Sequence, residues 1–389
     1  MKKKIYYWSP CLAKVATVKA TINSAISLAK YSNTYEVKII NVCGEWTKHQ
    51  KYLLKNKVYI ENLTFNYFNF LPKTGFFMSR FSNLVVIFIS IFPLISFIKN
   101  KKPDYLIVHL ITSLPLILLN FMKTNTKTIL RISGFPKLNF FRKKLWIMSE
   151  KKIFKITCPT EDLKKNLIEN EVFDKNKLIN LPDPVINIKE FIKKKNDKNF
   201  GLLKQNENNF FIAVGRLTNQ KNFIYLIKEF KKFLDIFPNE KLLIFGEGEL
   251  RNKILRQINN NNLNNSVHLL GYTNNIYKYM LKSKAFISSS LWEDPGFVMI
   301  ESALCNSFII SSDCKNGPKE FLLNGEAGLI FRSNINNELL NRLKKYKQLE
   351  KNDILKMKVL AKKSSIKFTM FRHYINLRDI IENNSNFLC

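Results

Sequence analysis

Short apolar runs, each closed by a polar or glycine-containing turn, recur along the chain. Ile5 to Trp8, Val37 to Val42, Tyr105 to Val108, Thr128 to Ile132 and Ile153 to Pro159 are such runs in the first half. Phe210 to Val214, Lys241 to Phe245, Val267 to Leu270, Phe286 to Ser289 and Ser307 to Ser311 follow in the second. Runs of this kind suit strands covered on both faces of a parallel sheet. Helical spacing lies between them, from about Val15 to Lys30 and from Asn222 to Phe237. The second helix places Phe223, Leu226, Ile227, Phe230 and Phe233 on one face. Strand alternating with helix predicts an α/β chain with a Rossmann-like opening.

Two regions are more apolar than the rest. Leu84 to Ile98 contains Pro93 and too few continuous apolar residues for a membrane crossing, so it predicts a buried helix. Tyr105 to Met122 is interrupted by His109, Thr112, Ser113 and Pro115, which predicts strand, loop and short helix. Arg80, Lys99, Lys101 and Lys102 flank the first region and suit peripheral contact with a membrane.

At 389 residues the chain exceeds one core, and two domains are expected. The polar stretch Lys193 to Asn209 reads as the linker. The expected boundaries are 1–195, 196–363 and a final helical segment, 364–389. The net charge of +33 raises the possibility of a nucleic-acid surface. Its lysines are spread over almost every segment, however, and no finger, KH or RRM signature accompanies them. An anionic phospholipid surface suits the same charge. Six cysteines (Cys11, Cys43, Cys158, Cys305, Cys314, Cys389) form no ligand pair. With Ile5 to Trp8 too short for a signal-peptide core, they predict reduced thiols in the cytoplasm.

Candidate chemistry concentrates in Glu293-Asp294-Pro295-Gly296-Phe297-Val298-Met299-Ile300-Glu301. Pro295 and Gly296 permit a sharp turn, and Phe297 to Leu304 read as a helix start. A helix start presents unpaired N–H groups and a positive dipole end to an anion. Carboxylates on either side suit a ligand with phosphate in its middle and hydroxyls at both ends, as in a nucleotide sugar. The plainer alternative is a solvated Glu293 and a capping or lysine-paired Glu301. A second signal, Gly215-Arg216-Leu217-Thr218-Asn219-Gln220-Lys221-Asn222, places two cations at another helix entrance, where they suit a diphosphate.

Together the two motifs resemble the donor half of glycosyltransferase family 4, retaining nucleotide-sugar enzymes of the GT-B fold. The resemblance implies two Rossmann-like domains facing each other across a cleft. It implies that Arg216 and Lys221, beside Gly215, stabilise the leaving diphosphate. Glu293 would contact the donor sugar, Glu301 the ribose, and backbone at Phe297 and Val298 the phosphate. Gly246 in Gly246-Glu247-Gly248 would lie near the donor, and backbone at Gly271-Tyr272 near the base. His109 matches a histidine that relatives place near the donor sugar, although a lone histidine is more often structural. Arg131 and Gly134 are candidates for the acceptor side. The family's N-terminal glycine pair is missing from Cys11-Leu12-Ala13-Lys14, where Lys14 is the available cation, and Pro318 replaces a second glycine before Glu320.

The implied reaction moves a hexose or N-acetylhexosamine from a UDP- or GDP-sugar to a glycan or lipid-linked acceptor in surface-polysaccharide or lipopolysaccharide synthesis. No Asp-x-Asp motif lies in a suitable loop, which fits a reaction without a metal or other cofactor. No nucleic-acid partner is expected. The rival readings are a soluble sugar-phosphate synthase of the same fold, a catalytically silent scaffold of that fold, and a non-enzymatic nucleic-acid-binding protein.

Overall fold

The computed structural model describes residues 2–12, 16–72, 76–197 and 209–382. Two compact units divide the chain, one formed by Met1–Val185 with Met370–Cys389 and the other by Ile186–Thr369. The first unit closes upstream of the boundary expected at 195. Helix Ile188–Lys195, which precedes that boundary, stacks Phe191 edge-on against Tyr277 of the second unit, with ring centroids 5.3 Å apart. Lys14 and residues 198–208 of the expected linker lie outside the described residues.

The first unit holds seven parallel strands: β1 (Lys3–Trp8), β2 (Tyr35–Asn41), β3 (Tyr59–Asn62), β4 (Tyr105–Val108), β5 (Lys127–Arg131), β6 (Ile153–Cys158) and β7 (Leu178–Asn180). Their order is β3-β2-β1-β4-β5-β6-β7. Ile5 of β1 stands between Val37 and Tyr105, so apolar residues meet across the sheet centre. β1 and β4 are buried along most of their length because helices cover both faces. Helix Ala16–Tyr31 and the C-terminal helix Met370–Glu382 pack together on one face, burying Ile22, Ile26, Leu377 and Ile380. Helices Phe76–Lys101, Ser113–Phe121 and Phe140–Ser149 contribute to the core on the other face.

The long helix Phe76–Lys101 corrects the expectation of a buried helix over Leu84 to Ile98. Its 26 residues include a segment, Arg80–Lys101, long and apolar enough to cross a membrane by length and composition. Only one face is covered. Ser82, Val86, Ser90, Leu94 and Phe97 are buried, while Phe81, Leu84, Phe88 and Phe92 are exposed.

The second unit repeats the scheme with β8 (Phe211–Val214), β9 (Leu242–Phe245), β10 (Val267–Gly271), β11 (Ala285–Ser288), β12 (Phe308–Ser312) and β13 (Leu329–Phe331). These are again all parallel, in the order β10-β9-β8-β11-β12-β13. In both sheets the strand order reverses beside the first strand of the unit. Loops at the carboxyl ends of strands on either side of that reversal form the usual ligand crevice of such sheets. In the second unit these are the loops after β8 and β11, which carry the two motifs.

Candidate active site

β8 ends at Val214, and Gly215 hands the chain to a short turn, Asn219–Lys221. Asn222 then takes the left-handed conformation at φ 50° immediately before helix Phe223–Leu234. Asparagine tolerates that backbone better than most residues. The neighbouring loops are laced together. Gly215 N–H donates to the Phe245 carbonyl at 3.0 Å, and Gly246 N–H donates to the Gly271 carbonyl at 2.8 Å. A Cβ on Gly246 would stand 1.8 Å from the Gly215 carbonyl oxygen, so only glycine allows the two loops to close together.

The loop after β11 meets this turn directly. Leu291 N–H donates to the Gln220 carbonyl at 2.8 Å, and Ser289 Oγ donates to the Lys221 carbonyl at 2.8 Å. Gln220 Nε2 returns a bond to the Trp292 carbonyl at 2.9 Å. These ties place Lys221 Nζ 2.5 Å from Glu293 Oε1. Ser290 Oγ donates to the same oxygen at 2.5 Å. Asn316 Nδ2 holds the loop from behind, donating to the Glu293 carbonyl at 3.1 Å and to Asp294 Oδ1 at 3.3 Å. Side-chain exposure is 16% for Lys221 and 7% for Glu293, so the ion pair is largely screened from bulk water. Arg216 stays exposed, with Nη2 3.4 Å from Gln220 Oε1.

Gly296, at φ 99°, turns the chain into helix Phe297–Leu304. An L side chain is strained at that φ, which explains a glycine one residue before the helix. No side chain caps this end. The first backbone N–H groups, those of Phe297 and Val298 among them, have no carbonyl within the helix to bond. About one turn on, Glu301 Oε1 accepts the Tyr277 hydroxyl at 3.1 Å. Tyr277 is buried on helix Tyr277–Lys282; burial, reinforced by the Glu301 charge, raises its phenol pKa, so it remains a donor at neutral pH. Tyr272 projects from the end of β10 with 76% of its surface exposed, offering a free ring.

The structure therefore brings Gly215, Arg216, Lys221, Gly246, Glu293, Gly296, Phe297, Val298 and Glu301 into one set of loops and one helix of the second unit. His109 belongs to the first unit. It is buried at the end of β4, with Nδ1 2.9 Å from Thr21 Oγ1 and its ring edge-on to Tyr7. Burial and, second, the nearby Arg131 charge push its pKa well below the usual histidine range, so it is neutral. Arg131 is itself buried and bonded through Nε and Nη2 to the Asp183 carboxylate, the Nε contact being 2.9 Å. That pairing commits two guanidinium nitrogens of Arg131, an acceptor-side candidate, to a carboxylate of its own unit. Tyr277, Ser290 and Asn316 were not singled out from sequence. Ser290 lies in a serine triplet beside the motif, and Asn316 in a recognised turn, but nothing local marks Tyr277.

Comparison with known proteins gives the family and the fold. Residues 194–363 match the model of the glycosyl transferases group 1 family. An uncharacterized glycosyltransferase of Methanocaldococcus jannaschii is 33% identical over 333 residues, covering 79% of this chain and 77% of the relative. An N-acetylgalactosamine-N,N'-diacetylbacillosaminyl-diphospho-undecaprenol 4-alpha-N-acetylgalactosaminyltransferase of Campylobacter jejuni is 36% identical over 135 residues, or 35% of this chain and 36% of that protein. In fold, the chain is similar to Anabaena HepE solved with UDP and glucose, with a TM-score of 0.71 at 13% identity over 98% of this chain and 100% of that one. The non-enzymatic reading of the basic charge is thereby overturned. The chain belongs to the glycosyl transferases group 1 family and is a glycosyltransferase of the GT-B fold.

Proposed function

We propose that this enzyme moves a hexose or N-acetylhexosamine from a UDP- or GDP-sugar to a glycan or lipid-linked acceptor, with retention at the anomeric carbon as in family 4. The observation that carries the reading is the Lys221–Glu293 contact beside the uncapped start of helix Phe297–Leu304. A cation, an acid and free backbone N–H groups converge there, and a second acid, Glu301, lies about one turn on. The donor diphosphate would sit against the helix start, with Arg216 and Lys221 on its oxygens. Glu301, steadied by Tyr277, would take the ribose hydroxyls, and Tyr272 would lie beside the base. Glu293 would reach the sugar hydroxyls once the diphosphate draws Lys221 toward itself.

Charge grows on the diphosphate as the glycosidic bond breaks, so cations already fixed there stabilise the transition state more than the ground state. The acceptor hydroxyl would attack from the face the diphosphate leaves, giving its proton to a leaving phosphate oxygen. His109, buried and neutral, suits a positioning role better than proton transfer. Two cations at the diphosphate also support a reaction that needs no metal. The Campylobacter relative is named for a diphospho-undecaprenol acceptor, which supports a lipid-linked substrate, surface-polysaccharide or lipopolysaccharide synthesis and work at the inner face of the cytoplasmic membrane.

The test is a screen of UDP- and GDP-sugars against lipid-linked and soluble acceptors, with the product read by mass and its anomer by NMR, with and without chelator. A retained α- or β-linked product on a lipid-linked acceptor, unaffected by chelator, is expected. A sugar phosphate as product, or inversion, would overturn the reading.

A further inference from the structure

We infer that the face formed by helices Phe76–Lys101, Ser113–Phe121 and Phe140–Ser149 docks flat on an anionic lipid bilayer, with the long helix in the membrane plane. This deepens the proposed work at the membrane, on which it rests, by naming the surface that docks; the vesicle assay below reads that surface separately from the acceptor screen.

Three observations converge. The first is the apolar strip. Phe81, Leu84, Phe88 and Phe92 recur at helical spacing on the open side of the long helix, with Phe92 80% exposed. From Met78 to Phe92 the strip runs roughly 20 Å along the axis. The two following helices add Phe121 at 84% and Phe141 at 82% exposure. Isolated exposed apolar residues need no explanation, but aromatic rings gathered on adjoining helices mark an interaction surface.

The second observation is charge. Residues 76–149 contain eleven Lys and Arg against a single acid, Asp104, whereas the whole chain has 63 against 30. A general lysine bias leaves that near-absence of acids unexplained. Asp104 is already engaged, since Lys4 N–H donates to its Oδ2 at 2.7 Å. Arg131 is buried against Asp183 and Lys101 meets Glu61 at 2.8 Å, but the cations of this stretch still outnumber the acids that meet them, and apolar rings bordered by that excess complement acyl chains beneath anionic headgroups. A second copy of this chain would have to bring the same cations against themselves.

The third observation fixes orientation. The opposite side of the long helix is committed to the protein. Val86, Leu94 and Phe97 are buried in the core, and Phe97 meets Tyr6 edge-on at 4.9 Å. Ser82 Oγ donates to the Pro72 carbonyl at 2.6 Å. Crossing the bilayer would strip this packing from the sheet, so the helix lies on the membrane and does not span it.

The test is sedimentation of the full chain with vesicles of phosphatidylcholine, alone or mixed with phosphatidylglycerol. The wild type should bind the mixed vesicles at low salt and largely leave them at high salt. Phe88→Ser with Phe92→Ser should weaken binding roughly tenfold or more with an unchanged circular dichroism spectrum. Lys99→Gln with Lys102→Gln should weaken it and flatten the salt dependence. Phe92→Trp should shift its emission to the blue on vesicles, which reads insertion of that ring whatever the other variants do. Equal binding by the phenylalanine pair variant and wild type would overturn the proposal. Release only by detergent would replace it with a spanning helix. A wild-type dimer that becomes monomeric in the phenylalanine variant, with no vesicle binding, would assign the face to a second copy of the chain.

Discussion

Lys221 and Glu293 form a largely buried ion pair, and each therefore has a structural role beside the chemical one proposed for it. Removing one partner leaves the other charge poorly solvated, at a cost of roughly 2–4 kcal/mol for a pair this buried. Lys221→Met and Glu293→Gln should each lower the melting temperature. The double variant should recover most of that loss while remaining severely impaired in activity, because Arg216 alone then meets the diphosphate. Differential scanning fluorimetry with an activity assay on the four proteins closes this cycle. Additive losses in stability would show that the two side chains do not interact. Glu301 depends on Tyr277 in a different way. Tyr277→Phe removes one donor to a carboxylate, worth about 1.5–3 kcal/mol, so the donor KM should rise roughly tenfold with little change in kcat. In a Glu301→Gln background the same change should have a much smaller effect, read by donor kinetics. The motif residues themselves were legible from sequence because a helix start is a local signal. Their partners were not. Lys221 meets Glu293 across 72 residues, and Tyr277 reaches Glu301 through packing of two helices that no spacing rule connects.

At the level of elements, buried parallel strands announced themselves through unbroken apolar runs, and both sheets follow them. β3 did not. Its residues Tyr59 to Asn62 are half-exposed at the sheet edge, so they carry polar side chains and no run. The long helix failed for the opposite reason: apolar on nearly all sides, it gives no moment to say which face is covered. Ser82 and Ser90 sit inside while Phe81, Phe88 and Phe92 sit outside, an inversion that only packing reveals. The C-terminal helix Met370–Glu382 is pinned by His373, whose Nδ1 lies 2.8 Å from the Pro182 carbonyl and Nε2 2.8 Å from Ser24 Oγ. Donation from Nδ1 to the carbonyl makes Nε2 the acceptor, so the neutral ring is the form that fits. Burial lowers the His373 pKa to about 4. The unfolded chain takes up this proton near the ordinary pKa of 6.5, so it binds more protons than the folded chain between about 4 and 6.5. Stability should thus be full above pH 6.5 and fall as pH drops through that window, by up to roughly 1.4 kcal/mol per pH unit. His109 adds to the same slope, since its pKa is also lowered. His373→Gln should flatten the acid limb of a melting-temperature profile, even if the midpoint at neutral pH declines.

For the whole molecule, the two units divide the labour. The second holds the motif residues; the first carries an apolar, acid-poor helical face. The net charge of +33 is the sequence feature that most invites a nucleic-acid reading, and charge alone does not distinguish one polyanion from another. Membership of the group 1 glycosyltransferases, with the pairing of Lys221 and Glu293 beside a helix start, supports the proposal that the cationic site takes a diphosphate. The most direct test of that claim is calorimetric titration of UMP, UDP, GMP and GDP into the wild type and into Lys221→Met with its fold verified by circular dichroism. For the matching base, the wild type should bind the diphosphate at least roughly tenfold more tightly than the monophosphate. Lys221→Met should erase most of that advantage and leave monophosphate binding nearly unchanged. Diphosphate binding that survives the substitution intact, or mono- and diphosphate affinities that fall together, would contradict the account.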